Sequence, residues 1–418
     1  MKWRTFALGA LGAMGATVAS VTPFLGACGG GSDAPQAPVV RLCPASLDYT
    51  TTFTGGGGSG ELVKLQLDTT KLTWQVTYVE SPIPAVTGTV SPTRAGTTQT
   101  GTLTMETGLP TQKLNQCAYQ LNGATLDATR AARIFVGEGV AGGTIPGKEL
   151  QFGGILGQGV VPDRTFPYYP FIGFSTLETN LANVAGTYHQ LGYHEIPSQN
   201  YARLAVDSKI TINADGTWQE CDNTGVNTGK CQQAGSNFAQ SPDGSGAFVT
   251  NNFLGQGKPT LAAGALGKGY MIVGKLRGQN VPILVRAGAA NATITTGIPP
   301  FADDESGISM MSPQTNVASG SVNGEYVGVD SAFNYRTTAL SGTQATLIDP
   351  FQPSQVALSR ALNLDYTEVV AGLVTSTVVG ASTGTTPTGK FIFSGGVFGY
   401  LDQSDPTTPY FTIGSFVQ

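Results

Sequence analysis

The amino-acid sequence predicts an all-β protein of tandem antiparallel barrel- or sandwich-like modules with a few short helices; a β-propeller is the alternative architecture. Three observations lead there. Leu62-Val-Lys-Leu-Gln-Leu67 and Leu72-Thr-Trp-Gln-Val-Thr-Tyr78 alternate apolar and polar residues, the period of a strand with one buried face. The chain holds 57 glycines and only 12% charged residues, which suits short strands joined by tight turns. Helical periodicity is scarce, so the crossovers that parallel sheets need are missing and hairpins must connect the strands.

The N-terminus reads as an export signal over residues 1–27. A basic Met1-Lys-Trp-Arg4 precedes an uncharged run from Thr5 to Ala27. Leu25-Gly-Ala-Cys28 resembles the lipobox of bacterial lipoproteins. That resemblance implies acyl chains (palmitate among them) on Cys28, anchorage to the lipid bilayer and, with Gly29 following, the outer membrane of the cell envelope. Residues 28–42 form the lipidated cysteine and a Gly-, Ser- and Pro-rich tether. Lipidation leaves Cys43, Cys117, Cys221 and Cys231, an even set that in an exported chain predicts two disulfides. Cys221–Cys231 within one hairpin, plus Cys43–Cys117, is the favoured pairing. Thiolate metal ligation is the alternative, although the spacings contain no CxxC.

Asp68–Lys71 and Asp215-Gly216 are expected to turn hairpins, and Tyr270–Val273, Val281–Val285, Phe391–Phe393 and Phe411–Phe416 to be strands. The best helical signal is residues 354–363, with Ser354 as cap; residues near 127–133 and 176–184 suit a helical turn or two. Tyr49 and Tyr188 each stand 19 residues before an Asp, and Tyr326 stands 23 before Asp349. Each segment later carries an apolar triplet beside a glycine: IFVG ending at Gly137, MIVG at Gly274 and FIFSG at Gly395. These recurrences divide the mature chain into β-module 1 (43–160), an aromatic and proline connector (161–183), β-module 2 (184–290), a polar linker (291–320) and β-module 3 (321–418).

Loss of the signal would leave 20 basic against 27 acidic residues, a net charge of −7, with no basic stripe; nucleic acid is not an expected partner. Several motifs fail in context. Gly137–Gly142 fits GxGxxG but lacks the helix whose N-terminus would hold a pyrophosphate. Gly384–Lys390 resembles a phosphate loop, yet Phe391 stands where magnesium needs a hydroxyl. Gly380-Ala-Ser-Thr-Gly384 matches GxSxG without a following helix, and the only histidines, His189 and His194, precede it. Their spacing of five puts the two rings on opposite faces of a strand. No cofactor and no catalytic residue is expected.

Two candidate sites remain. Phe166, Tyr168, Tyr169 and Phe171, interleaved with prolines, could form an aromatic platform for a sugar or partner, or wedge between modules. Asp303, Asp304 and Glu305 offer hard oxygens to calcium but lack the DxDxDG spacing.

The runs GELVKLQLDTTKLTWQVTYVESP, TFPYYPFIGF, KITINADGTWQECDNTG, DDESGI, NGEYVGVDSAFNYRTTALSGTQATLIDPF and TPTGKFIFSGGVFGYL resemble an uncharacterised group of proteobacterial lipoproteins carrying a domain of unknown function. The resemblance implies an envelope location and brings no activity or site residue. The leading functional expectation is a non-catalytic, membrane-anchored protein that binds a glycan, a small molecule or another protein. A polysaccharide- or cell-wall-acting hydrolase with a carboxylate pair, and a structural component of the envelope, are the alternatives.

Overall fold

The strand sequence pairs into two closed barrels, one open nine-stranded sheet and a two-stranded ribbon. The computed structural model describes residues 43–155, 159–223, 230–256, 266–294, 301–354, 359–368, 370–382 and 384–417; the export signal, Cys28 and the tether lie outside them. The first barrel joins β1 (Thr52–Gly57), β2 (Glu61–Asp68), β3 (Thr73–Glu80), β4 (Thr98–Met105), β5 (Ala118–Asn122), β6 (Arg133–Val136), β7 (Val140–Ile155) and β8 (Gly159–Phe174). Antiparallel pairing of β1 with β8 closes it. The alternation seen in the sequence is the alternation of burial: Trp74, Val76 and Tyr78 of β3 point inward while their neighbours are half-buried.

The middle of the chain supplies β9 (Gly186–Ile196), β10 (Ala202–Ile212), β11 (Trp218–Asp222), β12 (Cys231–Gln232), β13 (Ala239–Gln240), β14 (Phe248–Thr250), β15 (Lys268–Leu276), β16 (Gln279–Ala287), the ribbon β17 (Ala289–Ile294) and β18 (Phe301–Asp303), and β19 (Ser306–Pro313). Nine of these form a sheet in the order β12-β11-β10-β9-β19-β16-β15-β14-β13. The segment expected as a polar linker therefore contributes β19, which lies between β9 and β16 at the centre of the sheet.

The second barrel joins β20 (Gly324–Asp330), β21 (Tyr335–Ser341), β22 (Gln344–Ile348), β23 (Arg360–Asp365), β24 (Val374–Val378), β25 (Gly389–Ser394), β26 (Val397–Asp402) and β27 (Tyr410–Phe416), closed by β20 on β27. The fold is all-β as expected, with closed barrels rather than propeller blades.

The helical expectation for 354–363 is corrected. Residues 355–358 lie outside the description, and Arg360–Asp365 is strand β23, with Leu362 and Leu364 turned inward. Closing the barrel requires a strand between β22 and β24, and that pairing outweighs local helix propensity. The α-helix described is a single turn, α1 (Gln112–Gln116), capped by Thr111. The 176–184 segment yields one 3₁₀ turn, Leu181–Asn183.

One apolar core draws on all three sheets. Leu62, Ile172 and Phe174 of the first barrel, Leu191, Ile283 and Met310 of the central sheet, and Ile392, Leu401 and Ile413 of the second barrel share a cluster. The opposite face of the central sheet is covered by its own loops, with Trp218, Phe238 and Phe253 against Met271 and Leu284. Cys43 pairs with Cys117 and Cys221 with Cys231, at Cα separations of 5.8 and 3.9 Å.

The disulfides close loops of unequal length, 74 and 10 residues. Loop-closure entropy predicts that Cys43→Ser with Cys117→Ser lowers stability by about 4 kcal/mol, against about 3 kcal/mol for Cys221→Ser with Cys231→Ser. Denaturant unfolding without reductant measures both; a larger loss for the short loop would contradict the assignment of the main effect to the unfolded chain.

Candidate functional site

The aromatic segment lies inside β8, and its rings are buried. Phe166, Tyr168, Tyr169 and Phe171 are each 2% exposed, so of the two arrangements open to the sequence the rings take that of an internal wedge. Phe166 stacks on Tyr169 with centroids 5.0 Å apart and meets Phe333 of the second barrel edge-on. The Tyr168 hydroxyl donates to the Phe333 carbonyl at 2.9 Å. The segment joins the barrels because its strand is a wall of one and packs against the other.

What these rings leave is a small cavity of about 480 Å³, part of it open to solvent, lined by Phe166, Tyr169, Tyr201, Ile83, Glu195 and Asp304 among others. The Tyr169 hydroxyl has no hydrogen-bond partner among the described residues. Burial pushes its pKa well above the ordinary value, so it remains a donor.

The acidic run is buried too, and its carboxylates are engaged by protein groups. Asp303 accepts from Arg286 Nη2 at 2.8 and 3.0 Å, and its Oδ2 from the backbone of Leu266 and Gly267. Asp304 caps Ser198 through backbone and hydroxyl, at 2.6 and 2.9 Å. Glu305 accepts from the Gln256 backbone at 2.7 Å and meets His194 Nδ1 at 2.8 Å. Three neighbouring carboxylates thus serve three different partners. Among the described residues no group of three or more His, Cys, Asp or Glu side chains is placed to hold a metal ion.

The remaining motifs are structural. His189 Nε2 meets the Ala371 carbonyl at 2.8 Å, and burial holds the ring's pKa below its ordinary value. Gly137–Gly139 is the tip of the β6–β7 hairpin, with Gly139 at φ +81°. Gly384 lies between β24 and β25, and Lys390 pairs with Asp207 at 2.5 Å.

Glu220 and Asp222, two residues apart on β11, share one side of a cleft of about 270 Å³ with Lys230 and Gln256. Gln256 links Glu220 to Glu305, through its amide to the first and its backbone N–H to the second. Distant acids therefore do converge. Glu220 is nonetheless only 5% exposed and Glu305 fully buried, and the enclosed space of about 10 Å³ is far below the ~300–1,000 Å³ usual for ligand pockets. Burial, then the nearby Asp222 and Glu305, raise the Glu220 pKa to about 7, while Ser208 and Gln256 oppose the rise.

A larger opening lies where three hairpin tips meet, and no residue proposed from sequence as a site lines it. One cleft, about 1490 Å³ and part open to solvent, is bounded by Arg277, Gln279, Asn280, Thr315, Tyr326 and Phe393, with further polar and aromatic residues. A second, about 880 Å³, is bounded by Glu138, Gly139, Lys275, Arg277, Gly396 and Phe416. Arg277, Gly395, Gly396 and Phe416 line both, so the two form one groove.

The tips belong to the β6–β7, β15–β16 and β25–β26 hairpins, whose first strands carry the IFV, MIV and FIF triplets noted in the sequence. Tyr188 and Tyr326, which open two of the recurring segments, also line the first cleft. Their hydroxyls make the same local bond, to the carbonyls of Val184 and Val322 four residues earlier. The recurrence was the available signal. Spatial convergence was not readable from it.

Glu220 gives a pH test. Its folded pKa lies above the ordinary 4.5, so its contribution to stability is fully present below pH 4.5 and is lost as pH rises through 7. Glu220→Gln is expected to gain on the native protein by about 3 kcal/mol between pH 4.5 and 8. Parallel stability–pH curves for the two proteins would refute the raised pKa.

Comparison with known proteins gives a family and a distant structural likeness. No curated protein matches the sequence. A double mutant of transferrin-binding protein B, a vaccine antigen of Haemophilus parasuis Hp5, aligns at 9% identity and TM-score 0.21, over 85% of this chain and 65% of its own. The chain therefore spans just under two thirds of that protein. Intact Ap-TbpB, with its N and C lobes, aligns at 8% identity and TM-score 0.17, over 87% and 67%. The sequence matches the DUF2957 domain over residues 73–415, nearly the whole of the described body, and the chain belongs to this family of proteins of unknown function.

Proposed function

We propose that the protein is a non-catalytic binding protein of the bacterial envelope, held to the bilayer by acyl chains on Cys28 and carried on the tether 28–42. The groove between the hairpin tips is its ligand site. The observation that carries this reading is the groove itself: half-buried Phe393 and Phe416 stand beside the side chains of Gln279, Asn280, Asn316 and Asn323. Flat apolar faces next to amides and hydroxyls suit an extended polar ligand with apolar patches. The groove draws one hairpin from each barrel and one from the central sheet.

The buried acids support binding over hydrolysis. Each of Asp303, Asp304, Glu305 and Glu220 is engaged by protein groups inside the body, whereas a glycosidase holds its carboxyl pair facing a substrate cleft.

Two experiments test the reading. Labelled palmitate is expected to be incorporated in cells by the native protein and not by Cys28→Ser; label in neither would remove the anchor. A soluble-glycan array is expected to give binders that Thr315→Trp, at an exposed position lining the groove, weakens by about tenfold or more, as filling a contact site does, without a change in Tm. Binders indifferent to that substitution, or no binders, would remove the groove as the site.

A further inference from the structure

The geometry points to an acidic oligosaccharide as the ligand, with a sugar carboxylate held by Arg277 in the first cleft. This deepens the proposed function and rests on the groove being the ligand site.

Arg277 and Gly278 are the central residues of the β15–β16 turn, at φ +50° and +74°. A two-residue turn with both φ values positive is the type I′ hairpin, which favours Asn-Gly because a residue with a Cβ is strained at its first position. Arginine brings that turn no backbone advantage, so its side chain is the reason to look further. The guanidinium lies 4.0 Å over the Phe416 ring. Gly396 also lies against it, where an added Cβ would stand 3.2 Å from Cζ. Arg277 is otherwise exposed, so these two contacts leave part of its guanidinium open to solvent and to a ligand.

Among the described residues Arg277 has no carboxylate partner and no hydrogen-bond acceptor, although it lines both clefts. It is the only charged residue among those lining the first cleft. In the second cleft Lys275 is already paired with Glu178 at 2.8 Å, and Glu138 stands exposed and would repel an acid. An anionic group is therefore directed to the first cleft, where the exposed guanidinium can offer two parallel N–H donors to a carboxylate.

The neighbours select a sugar over a peptide. Phe393 and the part of Phe416 not covered by Arg277 offer apolar surface. Gln279, Asn280 and Asn323, each with one amide atom already bonded to the backbone, keep the other for a hydroxyl group, and Asn316 offers a further amide. A peptide would bind best by adding a strand to an open sheet edge. The barrels are closed, and the edge strands of the central sheet, β12 and β13, do not line the groove.

The test is calorimetric titration of the mature protein with a hexasaccharide of alternating glucuronic acid and N-acetylglucosamine, and with the same hexasaccharide after its carboxyl groups are reduced to alcohols. The acidic form is expected to bind at least about tenfold more tightly, the size of a charge-assisted bidentate contact. Arg277→Asn, which suits the turn better, is expected to abolish that preference while leaving Tm equal or higher. Phe416→Ala is expected to weaken both forms. Equal binding of the two forms, reduced by Thr315→Trp, would overturn the acidic ligand and leave the groove as a binding site. Binding of neither form overturns the acidic-sugar inference, while the groove itself stands or falls on the glycan array. If Arg277→Asn lowers Tm and weakens both forms alike, Arg277 is a prop for Phe416 and the inference fails.

Discussion

The structure turns on a fully buried guanidinium. Arg286 has no solvent access, and a charge in that position is stable only if every donor is met. Asp303 meets Nη2 with both oxygens, and the carbonyls of Phe253, Leu254 and Glu305 accept from Nη2, Nε and Nη1, so each nitrogen has a partner. Removing one member of such a set costs about 3–5 kcal/mol, because the other charge is left uncompensated. The set is also a spatial constraint. It fixes the loop at 253–256 and the turn into β15 against β16, and it positions the chain as it leaves β18 for β19.

From there the acidic run carries the constraint outward. Asp304 holds the 3₁₀ turn after β9 through Ser198, and Glu305 faces His194 on β9 itself. Gln256 then ties Glu305 to Glu220 on β11. One short acidic segment thus reaches both neighbours of the strand it precedes and a strand two places further along the sheet. Its charges are tolerated because each has a stated partner, which is also why they offer no open valence to a cation.

Closed barrels shape the exterior as strongly as these charges shape the interior. A barrel has no free edge, so the barrels meet the central sheet through their outer walls, in the core that Ile172, Leu191 and Ile413 share. Walls pack densely in that core, and the groove lies beyond it, where three hairpin tips converge. Gly395 and Gly396 let the β25–β26 tip approach Leu276 and Arg277 closely, at 3.0 Å from the Leu276 carbonyl to a Cβ built on Gly395.

The sequence by itself determined the β character of the chain, most of its strands and several hairpins, since alternation and turn residues act over a few positions. Leu62–Leu67, Leu72–Tyr78 and Asp215-Gly216 were legible for that reason. The disulfide partners were legible from parity and proximity along the chain. Only the tertiary structure decided that Arg360–Asp365 is a strand, that Phe166–Phe171 is internal, and that Asp303–Glu305 is buried rather than solvated. Each of those outcomes depends on a partner far away: a barrel awaiting closure, a second barrel's Phe333, or Arg286 across the sheet. The groove belongs with them. Its three tips come from positions near 138, 277 and 395, and no local pattern reports that separate turns end at one place, because that is set by how walls pack and not by how strands form.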